Sequence, residues 1–243
     1  MKKSLSLPNR SYFLVVSLLF LLFFILCRGY GMLGGPLLKV LLPLGFLIMI
    51  IVPFLFLPRQ DLAKIGIKRA TTISHYFVAF VAGILAAAAC HYLGTFFFGV
   101  TPDNWYVSIQ NFYISNPAYS EEIPRLQLFV IFTVPALLFS PIGEELFFRG
   151  FFQECLRLNF QDRLSVFIEC GCFGLIHLFH HGLVGSGGLI TFYPISGILW
   201  VILMSLTAYL FLLIRRYTGS IYPAMVSHAG FNLSMNWFIF YIL

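Results

Sequence analysis

Ser140-Pro-Ile-Gly-Glu-Glu-Leu-Phe-Phe-Arg-Gly-Phe-Phe152 lies within an apolar run extending over 126–152. Two adjacent carboxylates, Glu144 and Glu145, and one guanidinium, Arg149, are walled there by phenylalanines. Charged groups at membrane depth are expensive, face a bundle interior or a wet cavity, and mark function. The segment therefore predicts a helix inside a membrane bundle and a site built on it.

The rest of the chain agrees. Its 243 residues are 60% hydrophobic and 10% charged, with a mean hydropathy of +0.91, whereas soluble domains carry about 25% charged residues. Apolar segments fall near 12–30, 37–57, 76–99, 126–152, 163–181, 189–214 and 220–242. A spanning helix needs about 20 such residues. Pro43 and Pro53 predict kinks in the second segment. The fourth carries Pro135 and Pro141 and is too long for one straight span, so a break is expected near Ser140–Gly143, adding an eighth element. The expected fold is all-α: a polytopic transmembrane helix bundle of about seven to eight membrane helices. It forms one integral membrane domain over 1–243, with a catalytic core at 126–240.

The net charge of +6 belongs to the segment ends rather than to a nucleic-acid patch. Lys2, Lys3 and Arg10 precede the first apolar run. Arg59, Lys64, Lys68 and Arg69 follow the second, Arg157 and Arg163 lie in the 153–163 connection, and Arg215 and Arg216 follow the sixth run. Such enrichment marks cytoplasmic loops, placing the N-terminus in the cytoplasm and the polar stretch 100–125 outside. The first run is long for a signal peptide and has no small-residue cleavage site, so it is expected to be a retained helix. The five cysteines, Cys27, Cys90, Cys155, Cys170 and Cys172, read as small apolar helix residues without a disulfide. Gly182–Gly188 reads as an exposed turn.

Three polar groups interrupt the second half: Glu144-Glu145-x-x-x-Arg149, Phe173-x-x-x-His177 and His228-x-x-x-Asn232. Glu145 and Arg149 share a helix face and can pair, as can His228 and Asn232, while Glu144 is turned by about 100° from Glu145. Glu144 and His177 stand equally far from the connection at Phe160–Gln161, roughly 25 Å along an antiparallel hairpin. Asn232 lies roughly 20 Å beyond the Tyr217–Ser220 turn, with His228 one turn lower. Singly, each has a structural explanation: a buried ion pair, an interhelical donor, interhelical glue. Packing alone does not require them all at one depth.

Two chemistries fit this set. Glu144, tuned by its apolar surroundings and with Arg149 holding its neighbour, can activate water near His177, while His228 and Asn232 stabilise an oxyanion. Alternatively Glu144, His177 and His228 hold a zinc-like ion with one open position. Both hydrolyse an amide. His180 and His181 are expected at the interface, and His75 and His91 in structural or interfacial roles. Ser17, Ser140 and Ser227 have no triad context in the sequence, and no His-Glu-x-x-His motif, P-loop or dinucleotide fingerprint occurs.

The ordered triple of motifs, covering about 140–235, resembles the CPBP family of CAAX proteases and bacteriocin-processing enzymes, also called Abi. The resemblance implies an intramembrane endopeptidase of the cytoplasmic membrane, related to type II prenyl-protein endopeptidases. It implies Glu144 and His177 as the water-activating pair, and His228 and Asn232 as the oxyanion site. Metal-independent chemistry is expected, with zinc as the alternative. The implied partners are a peptide or protein substrate, lipidated, sorted or bacteriocin-like, and the lipid bilayer, with no nucleic acid. A non-catalytic immunity or scaffold protein binding such a chain in the same cavity is the competing reading. A transporter with a buried acid relay is a third, disfavoured by the lack of inverted repeats.

Overall fold

A computed structural model describes residues 9–116, 119–186 and 189–243. Lys2, Lys3, Gly187 and Gly188 lie outside the described residues. The chain folds as an all-α membrane bundle with one small hairpin. Its helices are α1 (Arg10–Leu33), α2 (Leu41–Phe56), α3 (Arg59–Leu62), α4 (Ser74–Phe98), α5 (Trp105–Ile114), α6 (Arg125–Glu144), α7 (Gln153–Asn159), α8 (Asp162–Ile176), α9 (Pro194–Thr218) and α10 (Tyr222–Tyr241). The hairpin pairs β1 (Leu183–Ser186) with β2 (Leu189–Phe192), Leu183 opposite Phe192.

Among the described residues, five helical stretches are long and apolar enough to cross a membrane: 10–33, 37–56, 74–98, 125–159 and 194–218. Helices α8 and α10 are not, because α8 is short and both carry the polar residues of the second half. They are held by packing instead: α10 against α4 and α6, and α8 against α9. Small residues make these approaches possible. A Cβ at Gly83 on α4 would collide with the Ser227 carbonyl of α10, and one at Gly174 on α8 with the Val201 carbonyl of α9.

Several expectations are corrected. No break occurs at Ser140–Gly143: the helix is continuous from Arg125 to Asn159. Pro135 and Pro141 are absorbed within α6, because membrane helices tolerate proline when neighbours and local adjustments re-satisfy the freed backbone groups. The irregularity comes immediately after, where Glu145–Phe152 widens into a π-helical stretch that ends with the Gln153 N–H donating to the Phe148 carbonyl. Such stretches occur frequently at functional sites. The polar stretch 100–125 contains α5, capped by the Asn104 side chain at the Tyr106 N–H. It buries Trp105 against Trp200, ring centroids 5.6 Å apart. The described part of the glycine-rich turn forms β1, and Leu189–Phe192 belongs to β2 rather than to the following helix. All five cysteines are free.

Candidate active site

The π-helical turn and the end of α6 bring Glu144, Glu145 and Arg149 into the bundle interior, each at most 1% exposed. Glu145 meets Arg149 Nε through Oε2 at 3.2 Å. It also does something the sequence did not show: Oε1 lies 2.9 Å from His228 Nδ1 on α10. A carboxylate only accepts, so this contact places a proton on Nδ1 and turns Nε2 toward Glu144 Oε2, 3.9 Å away. The His228 ring stacks on Phe211 with centroids 4.9 Å apart. Glu145 is thus the orienting partner of His228 as well as the partner of Arg149.

Arg149 is fully buried and serves two carboxylates, the second being Glu169 on α8, with 3.6 Å between Arg149 Nε and Glu169 Oε1. Its guanidinium lies over the Phe173 ring, 4.1 Å from the centroid, a favourable cation–π placement. The phenylalanines around Arg149 are therefore part of how its charge is held.

His177 begins the single 3₁₀ turn that follows α8. Its Nδ1 sits 2.7 Å from the Phe173 carbonyl, which fixes the proton there and leaves Nε2 as the acceptor in the neutral ring. That nitrogen faces Arg28 Nη1 at 3.3 Å. Arg28 Nη2 in turn forms an ion pair with Glu144 Oε1. Glu144 and His177 are therefore brought together through Arg28 of α1. Asn232, one turn above His228, donates from Nδ2 to the Ala136 carbonyl at 2.8 Å. Its second amide hydrogen is left for another acceptor.

Arg28 and Glu169 were missed in the sequence. Each is an ionisable residue within an apolar stretch, the same signal that singled out Glu144. Ser140 is a further correction. Its Oγ lies 3.5 Å from His228 Nε2, giving it the triad context the sequence lacked. His181 is not interfacial: it is buried and joins Ser108 of α5 to Ser196 of α9, at 2.7 Å each. His180 borders the cavity beside His177.

The zinc alternative does not fit this arrangement. Two of its three ligand atoms, Glu144 Oε1 and His177 Nε2, already face one guanidinium. Among the described residues, no group of three His, Cys, Asp or Glu side chains could hold a metal ion.

An apolar cavity of about 290 Å³ opens beside these groups. Phe46, Phe139, Met204 and Phe231 form its apolar wall, while Arg28, His177, His228 and Asn232 stand on its polar side. A second cavity of about 490 Å³, next to Tyr119, Glu121 and Arg125, contains none of the predicted site residues.

Residues 126–234, which hold all three motifs, match the family model described as type II CAAX prenyl endopeptidase Rce1-like. Over these residues the chain is similar to the CPBP family, to which that model belongs. The Rce1-like match supplies a CAAX-type protease family for the site, and it excludes α1, hence Arg28, from the matched segment. No curated protein and no solved structure matches the chain.

Proposed function

We propose that this protein is an intramembrane endopeptidase that hydrolyses a peptide bond with water activated at Glu144, within a core spanning 126–240. The observation that carries the reading is Glu144 Oε2. It is buried, has no hydrogen-bond partner, and faces His228 Nε2 at 3.9 Å beside the apolar cavity. Water entering from the cavity past His228 would bridge the two atoms. Glu144 takes a proton from that water, and the oxygen attacks the peptide carbonyl carbon. The resulting oxyanion is placed against His228 Nε2 and the spare Asn232 N–H. The C–N bond then breaks as the leaving nitrogen takes the proton back from Glu144. His228 donates from Nε2 only when both ring nitrogens carry protons.

The cavity supports a substrate class. Its apolar wall suits a lipid chain or an apolar peptide segment, and its polar edge suits a scissile amide. We place the protein in the cytoplasmic membrane with its N-terminus inside, on the strength of Arg59, Lys64, Lys68 and Arg69 after the second span. The purified protein in lipid nanodiscs is expected to cleave a quenched peptide carrying a prenylated cysteine faster than its unprenylated counterpart. Equal rates would remove lipidation from the reading and leave an apolar-peptide endopeptidase.

A second reading rests on Ser140. Its hydroxyl, His228 and Glu145 form a hydroxyl–imidazole–carboxylate chain of the kind that activates a serine nucleophile. The 3.5 Å separation is long for proton transfer in the resting state. Ser140→Ala is expected to retain cleavage within about threefold of the wild type, because a positioned hydroxyl contributes far less than the base. A loss matching that of Glu144→Ala, with fluorophosphonate labelling of Ser140, would transfer the nucleophile to the serine.

A further inference from the structure

Arg28 is 4% exposed within the apolar run of α1. It sits outside the matched segment, yet it touches two of the predicted site residues. One terminal nitrogen pairs with Glu144 Oε1 and the other stands 3.3 Å from His177 Nε2. Its guanidinium carbon lies 5.6 Å from the centre of the Phe46 ring, and its side chain borders the cavity. The wider charge pattern gives this contact its meaning. Arg149 lies within ion-pair distance of Glu145 and Glu169 but makes no such contact with Glu144. Arg28 is therefore the cation paired with the reactive acid.

We propose that Arg28 is the resident cation of the hydrolytic site, a positioning residue that stands where Glu144 and His177 would otherwise share a metal ion. The planar fork matters here, because one guanidinium can meet a carboxylate and an imidazole nitrogen at once. By engaging Oε1 it leaves Oε2 turned to His228 Nε2, and by donating to His177 Nε2 it holds that ring against the Phe173 carbonyl. The site thus gains the fixed positive charge that hydrolases of this kind can take from a metal ion. The source is helix α1, so the first half of the chain completes the site rather than merely enclosing it. This inference rests on the endopeptidase reading with Glu144 as base.

The test uses the full chain in nanodiscs and the quenched prenyl-cysteine peptide. Arg28→Ala is expected to lower kcat by about 100-fold, the scale of losing one preorganised charge at a reacting centre, with a much smaller change in KM. Ethylguanidinium added after purification is expected to restore at least about tenfold, since it returns the lost group to an open cavity. Urea, its neutral analogue, is expected to restore nothing. A merely structural role would not respond to a small cation supplied to an already assembled protein. Arg28→Lys keeps the charge through assembly and serves where the alanine variant does not assemble. It is expected to fall between wild type and alanine, because one ammonium cannot bridge both partners in the same way. Wild-type rates in Arg28→Ala, or a loss that ethylguanidinium and urea leave equally untouched, would overturn the proposal while the endopeptidase reading stands.

If the wild type cleaves nothing, that reading fails instead, and the role of Arg28 is read from Glu144 directly. Labelling of Glu144 by dicyclohexylcarbodiimide, followed by mass spectrometry, is expected to rise severalfold in Arg28→Ala and to be suppressed by ethylguanidinium. Unchanged labelling would overturn the pairing itself.

Discussion

The molecule contains two charged clusters that use the same residue types under opposite conditions. One lies at the junction of α6 and the π-helical turn, where Arg28, Glu144, Glu145, Arg149 and Glu169 are each no more than 4% exposed. The other lies where α7, α8 and α9 meet. There Arg157 joins Glu154 at 3.1 Å and Asp162 at 2.9 Å, Arg216 joins Asp162 at 2.8 Å, and Arg215 joins Glu154 at 2.9 Å. Asp162 at the rim of this second cluster is 51% exposed, while Arg215 and Glu154 beneath it are 7% and 12% exposed. At the open edge, ion pairs are cheap to form and contribute little. In the interior each charge is costly, and removing one partner strands the others. Only the interior cluster borders the apolar cavity through Arg28, and only it includes a carboxylate oxygen without a hydrogen-bond partner turned toward a histidine. The difference separates charges that fasten helix ends from charges that are kept for chemistry.

The sharpest way to break this contrast is to remove the shared interior cation. Arg149→Met takes the guanidinium from between Glu145 and Glu169 and leaves Glu145 with His228 as its partner, and a loss of about 3–5 kcal/mol is expected. Thermal unfolding in detergent should show it as a large fall in Tm or a failure to yield monodisperse protein. A variant as stable as the wild type would mean that the interior cluster is no more demanding than the edge. Gly83→Val tests the packing that holds His228 in place. The added side chain meets the Ser227 carbonyl, and about 1–3 kcal/mol is expected for such overpacking. Cleavage should fall along with stability, whereas unchanged stability would mean that α4 and α10 part easily.

The edge cluster should respond least. Hydrogen bonds and charge from Arg216 hold the Asp162 carboxyl below its ordinary value. A depressed carboxylate contributes stability that is present above the unfolded-state value and lost as pH falls through the folded-state one. After discounting for solvent screening, Asp162→Asn is expected to cost at most about 1 kcal/mol near neutrality. The cost should vanish in acid and shrink in high salt. A loss as large as that of Arg149→Met would erase the distinction between the clusters.

The same contrast explains what the sequence made legible. Hydropathy was sufficient for the membrane bundle, since apolar runs of spanning length have few other fates. Glu144, Glu145, Arg149, His177, His228 and Asn232 stood out because polar residues are rare in such runs. Their partners were harder to see. Whether Arg28 ends a helix or faces its interior depends on the rotation of α1 against α2 and α6, which hydropathy does not encode. The expected break at Ser140–Gly143 failed because proline rules from soluble helices are relaxed where neighbouring helices satisfy the backbone. The widened turn at Glu145–Phe152 could not be read from a fixed periodicity of 3.6. Helix α5 hides within the polar stretch 100–125 because it mixes buried Trp105 and Tyr106 with polar positions.

The central claim is that Glu144 is the base. It is tested most directly by comparing Glu144→Gln with the wild type for cleavage of the quenched prenyl-cysteine peptide, in nanodiscs and with matched unfolding temperatures. The glutamine keeps size and hydrogen-bonding capacity but cannot take a proton from water. The account predicts a fall in kcat of at least about 100-fold with the protein still folded. Cleavage at the wild-type rate in the folded glutamine variant would contradict it.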